Sequence, residues 1–120
     1  MSRSRWALLA AVVAIFVVVA GYLTYANSSH GPGQNVTINV TVNHAETMKP
    51  SELDAHQNDM VTINITSDTT GEVHLHGYDI AFDCEAGKVT SHTLKADKTG
   101  DFDIEWEATS TRLGHFVVMP

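Results

Sequence analysis

Two histidines separated by one residue are the side chains best placed to do chemistry. They lie in the run Val73-His74-Leu75-His76-Gly77-Tyr78-Asp79. In an extended chain successive side chains point to opposite faces. Val73 and Leu75 then share one face and the two imidazoles the other, about 6.6 Å apart at ~3.3 Å per residue. Imidazole suits copper, zinc, nickel and iron, and it is the commonest metal ligand, so two of them can share one ion. After Gly77 the apolar residues change parity, to Ile80 and Phe82. A single strand from Val73 to Phe82 with a β-bulge at Gly77 would return both to the core side. The plainer reading makes His74 and His76 ordinary polar-face residues.

Those residues must be held by β structure. Val36, Ile38, Val40 and Val42 alternate with polar residues, and so do Val61, Ile63 and Ile65. Each set reads as a half-buried strand. Between them, Thr47 to Asp59 follows neither period, and Ser51-Glu52-Leu53 after Pro50 suggests one helical turn. Further strands are expected at Val89 to Lys95, at Phe102, Ile104 and Trp106, and at Phe116 to Met119 after a loop reaching Gly114. About seven short strands broken by turn signals predict an all-β, two-sheet sandwich or barrel.

The N-terminal part differs from the rest. Arg3 and Arg5 precede a stretch from Ala7 to Leu23 without a charged residue. As a helix, residues 6–25 would be about 30 Å long, the thickness of a bilayer core. Trp6, Tyr22 and Tyr25 flank it at headgroup level, and the arginines favour a cytoplasmic N-terminus. The expected organisation is a cytoplasmic segment (1–5), a transmembrane anchor (6–25), a linker (26–34) and an extracytoplasmic β domain (35–120). A cleaved signal segment is the competing reading of 6–25, but Thr24-Tyr25-Ala26 is a poor cleavage motif.

All 14 acidic residues lie beyond residue 25, against five of the seven Lys and Arg. That balance argues against nucleic acid and against an anionic membrane surface as partners. The single cysteine, Cys84, allows no internal disulfide. A buried, inert thiol is its ordinary fate. His30, His44, His56 and His92 are scattered and read as surface residues, although His92 shares parity with Leu94. Asp101, Asp103, Glu105 and Glu107 alternate on one face, as a solvated outer face or a cation-attracting stripe. No nucleophile elbow or phosphate loop is present, so a non-enzymatic protein is expected.

The Glu72 to Asp79 run, an acidic glycine turn, Gly100-x-Phe102-x-Ile104 and a terminal strand ending in proline together resemble the small cupredoxin-like domains of bacterial cell-envelope proteins. The resemblance covers roughly residues 61–120. It implies a Greek-key β-sandwich and binding of a metal, copper favoured, in metal handling or beside a larger membrane protein system. It also implies a histidine near Glu107, where this chain has glutamate. His74, His76 and Glu107 are then candidate metal ligands, and His115 and Met119, which share a face of the last strand, are further candidates, with a plain strand end the commoner reading of both. A blue-copper centre needs a cysteine by the loop between the last two strands. Residues 106–114 contain neither cysteine nor methionine. The rival expectation is a metal-free β-sandwich serving structure or protein association at the cell surface.

Overall fold

The computed structural model describes residues 33–120. The expected cytoplasmic segment and anchor, and all of the linker except Gly33 and Gln34, lie outside the described residues. Among the described residues no helix is long and apolar enough to cross a membrane.

Nine strands form two sheets. They are β1 (Asn35–Asn43), β2 (Thr47–Lys49), β3 (Glu52–His56), β4 (Met60–Ser67), β5 (Gly71–Leu75), β6 (Ile80–Cys84), β7 (Val89–Lys95), β8 (Gly100–Trp106) and β9 (Thr111–Met119). The first sheet has the order β2-β1-β4-β7 and the second β3-β9-β8-β5-β6. Pairing is parallel between β1 and β4 and between β3 and β9, and antiparallel elsewhere. Strands with one buried face alternate apolar and polar side chains. Val40, Val42, Val61, Ile63 and Ile65 accordingly point from the first sheet into the core. They meet Val73, Leu75, Phe82, Ile104, Trp106, Phe116 and Val118 of the second.

Three expectations from sequence are corrected. The stretch read as aperiodic, with a helical turn at Ser51–Leu53, forms β2 and β3. Only Leu53 and Ala55 carry the inward pattern of β3, and its partner is the distant β9, in parallel. A two-residue apolar signal with a remote partner leaves little local trace. The last strand begins at Thr111 rather than Phe116. A register shift opposite Ile104 and Glu105 puts Leu113 and Gly114 both inside, which breaks the period. A Cβ on Gly114 would lie 2.2 Å from the Ser51 carbonyl oxygen, so β9 needs glycine where β3 enters.

The third correction bears on the histidines. Val73 to Phe82 is not one bulged strand. β5 ends at Leu75, the chain turns through residues 76–79, and β6 returns from Ile80. Leu75 pairs with Ile80 and Val73 with Phe82. The parity change recorded a reversal of direction, which delivers Phe82 to the core as a bulge would have done.

Asp59, 5% exposed, clasps the start of β1. Its carboxylate accepts from the Gln34 amide at 2.8 Å and the His56 amide at 2.9 Å. Replacing it by alanine strands two amide donors. Asp59→Ala should therefore lower unfolding free energy by about 1.5–3 kcal/mol, measured by urea titration.

Candidate metal site on the outer face of the second sheet

β5 lies between β8 and β6, so His74 is flanked on both sides. Its register partners are Glu105 on β8 and Ala81 on β6. Diagonal neighbours in a sheet come within reach of long side chains. Asp79 and Glu107 occupy those positions. His74 Nε2 lies 3.0 Å from Asp79 Oδ1, and Nδ1 lies 3.6 Å from Glu107 Oε2. The second distance is too long for a hydrogen bond. Nδ1 is shielded from solvent and has no hydrogen-bond partner.

His76 stands on the turn after β5. Its amide donates to the Asp103 carbonyl at 2.9 Å, and Nε2 meets Glu105 Oε1 at 2.5 Å. The two imidazole rings are edge to face, with centroids 4.4 Å apart. The structure thus gathers His74, His76 and Glu107 and adds Glu105 and Asp79. Sequence reasoning had Glu105 only as part of the acidic stripe. Asp79 closes the Val73–Asp79 segment, where the sequence alone assigns it no role. Cross-strand register is the signal that would have found both, and it was hidden while β5 and β6 were read as one strand.

His115 lies elsewhere on the same face. Its Nδ1 is 2.7 Å from Asp101 Oδ1 and its Nε2 is 3.2 Å from Glu52 Oε1. Asp101 and Glu105 are four residues apart on β8, so the two clusters are about 13 Å apart along the strand. His115 instead ties the edge strand β3 to β8. Met119 is farther still, paired with His56 at the end of β9. The acidic stripe is a row of partnered groups: Asp101 with His115, Asp103 with Arg112 at 3.0 Å, Glu105 with His76 and Glu107 with His74. Among the described residues no three His, Cys, Asp or Glu side chains already converge as a set able to hold a metal ion. The imidazole nitrogens face carboxylates instead.

The turn that presents His76 and Asp79 is fixed from below. Gly77 has φ +82°, and a Cβ there would lie 2.2 Å from the Phe102 ring. Both facts require glycine. The Tyr78 hydroxyl donates to the Lys98 carbonyl at 2.7 Å and accepts from the Lys98 amide at 3.0 Å. Its ring packs against Phe102 and Phe116. Burial pushes the Tyr78 hydroxyl pKa above its usual value, although the Lys98 backbone hydrogen bond opposes the shift. Gly77→Ala should cost about 1–3 kcal/mol of stability, read from thermal unfolding, because the turn must move.

No protein-family model and no curated protein matches the chain. Solved structures do. A copper binding protein in its apo form superposes with TM-score 0.60 at 12% identity, over 72% of this chain and 96% of that one. The metal binding domain of the Cu(I) exporting P-type ATPase CopA of Streptococcus pneumoniae D39 gives 0.59 at 10%, over 75% and 100%. The fold is cupredoxin-like. A chain of a heme-copper terminal oxidase dimer gives 0.58 at 15%, over 89% and 95%.

The donors of this cupredoxin-like domain decide what could bind. The connection from β8 to β9, Glu107 to Ser110, holds no cysteine, histidine or methionine. Cys84 is buried at the end of β6, and its Sγ lies 3.6 Å from the Phe82 carbonyl. Burial pushes its thiol pKa up, a nearby hydrogen bond with Thr90 opposing, so it is a poor source of thiolate. A blue-copper centre does not fit. Two imidazoles with carboxylates beside them suit a borderline divalent ion, and the unpartnered His74 Nδ1 is a nitrogen with nothing else to bind.

Proposed function

We propose that this chain is a membrane-anchored, extracytoplasmic cupredoxin-like module that binds copper through His74 and His76, for metal handling. Glu105 and Glu107 would complete or orient the site, and His115 would take no part. The reading is of a binding module, not an enzyme, with a larger membrane protein system as the partner that gives or receives the metal. The observation that carries it is the pair of imidazoles at 4.4 Å, ringed by carboxylates, on this fold. The copper-binding structural neighbours support the choice of metal.

Bound copper would supply Lewis acidity and charge. The residues themselves do the positioning. The Gly77–Tyr78 turn holds His76 beside His74, and Glu105 holds the His76 ring. Such outer partners orient ligands and raise their basicity.

A second reading, a metal-free association module, is favoured by one observation: His76 and His115 already have carboxylate partners. Thermal unfolding of the full chain in detergent separates the two. A ligand at 100 times its dissociation constant adds about 2.7 kcal/mol, or about 10–20 °C for a domain of this size. Copper(II) should raise the midpoint on that scale. An unchanged midpoint supports the metal-free module.

A further inference from the structure

The strands of the two sheets differ sharply in charge. The four strands of the first sheet contain no carboxylate, and Lys49 and Lys95 are their only charged residues. Their outer face is a ladder of amides and hydroxyls, with Asn64 donating to Asn39 at 3.0 Å and Thr62 bonded to Thr93 at 2.9 Å. The second sheet is the reverse. Arg112 is the one Lys or Arg in its five strands, while β3 carries Glu52 and Asp54, and β8 carries Asp101, Asp103 and Glu105. His74 stands on that acidic sheet and His76 on the turn that follows β5.

The sulfur donors are segregated too. Cys84 and Met48 are buried in the core. Met119 pairs with His56 on the edge strand, and its β8 neighbours are about 17 Å from Glu105 along the strand. Met60 begins β4 of the first sheet. Among the described residues no thiolate or thioether accompanies the imidazole pair.

Resting on the reading that His74 and His76 bind metal, we infer that the site takes divalent ions, Cu(II) and Zn(II), and discriminates against Cu(I). Two independent features produce the preference. Imidazole and carboxylate suit divalent first-row ions, whereas Cu(I) is selected by thiolate and thioether. The acidic sheet also sets up a negative potential over the site, which attracts a doubly charged ion twice as strongly as a singly charged one. This distinguishes the site from one serving as a Cu(I) acceptor, although the fold is shared with a domain solved with Cu(I).

The test is a set of equilibrium competitions with chromophoric chelators, using the full chain in detergent. Cu(II) and Zn(II) are titrated in air and Cu(I) under strict anaerobiosis. The expected result is that Cu(II) displaces Zn(II) from a common site, as the order of divalent affinities at nitrogen and oxygen donors requires, and that Cu(I) binds at least about tenfold more weakly than Cu(II). Both divalent affinities fall in His74→Ala/His76→Ala. Cu(I) binding as tightly as Cu(II), and lost with the same histidines, overturns the inference and leaves the metal-binding reading standing. No histidine-dependent binding of any of the three ions overturns both.

Discussion

Replacing His74 and His76 together by alanine should lower Cu(II) affinity by at least about 100-fold while the domain stays folded. Removing an outer-shell partner of a metal ligand already costs about 10–100-fold, so losing two ligands lies at or beyond the top of that range. The fold survives because neither ring is part of the core. The side chains retain 19% and 43% of their exposure, and they lie on the outer face of the second sheet. Their carboxylate partners Glu105 and Glu107 remain open to solvent after truncation, so no buried charge is stranded. With the rings outside the core, the cost of the truncation stays near the ordinary point-mutant scale of about 1 kcal/mol, well below the total stability. Isothermal titration gives the affinity and circular dichroism the fold. Equal affinity in wild type and variant would remove the proposed ligands.

Phe116→Ala should have the largest effect on stability. Phe116 is fully buried on β9, between Leu53 of β3 and Phe102 of β8 in the register of the sheet, and its ring lies 5.8 Å from that of Tyr78. Buried phenylalanine truncations cost about 3–5 kcal/mol. A domain of this kind has about 5–15 kcal/mol in total. With Cys84 as the sole cysteine, no disulfide limits the loss. The thermal midpoint should fall by at least about 12 °C, at ~4 °C per kcal/mol. The effect reaches the site, because Tyr78 packs on Phe116 from the turn that carries His76. A loss below about 1 kcal/mol would mean that the core is not organised around this ring.

The sequence made the sandwich legible wherever β-branched residues alternated. β1, β4 and β7 are legible nearly at their observed bounds because Val, Ile and Thr mark a strand directly, and β8 because Phe102, Ile104 and Trp106 alternate with acidic residues. β3 was missed because Leu53 and Ala55 are a faint signal and their partner strand lies some sixty residues later in the sequence. The β5–β6 hairpin was misread because Gly77 serves a bulge and a tight turn equally well. Only pairing of Leu75 with Ile80 distinguishes them. The same limit governed the site. The two histidines were visible as a pair, since spacing of two is local. Asp79 and Glu105 became neighbours only through register. His115 and Glu107 were put in one set with the histidines, and the structure separates His115 into its own group with Asp101 and Glu52.

The central claim is that metal binds at His74 and His76 on the acidic sheet. Anomalous diffraction at the copper edge, from crystals of the full chain grown with Cu(II), tests it most directly. The account predicts one strong peak at coordination distance, about 2 Å, from an imidazole nitrogen of each of His74 and His76. A peak at Cys84 or between Asp101 and His115, or none, would contradict it.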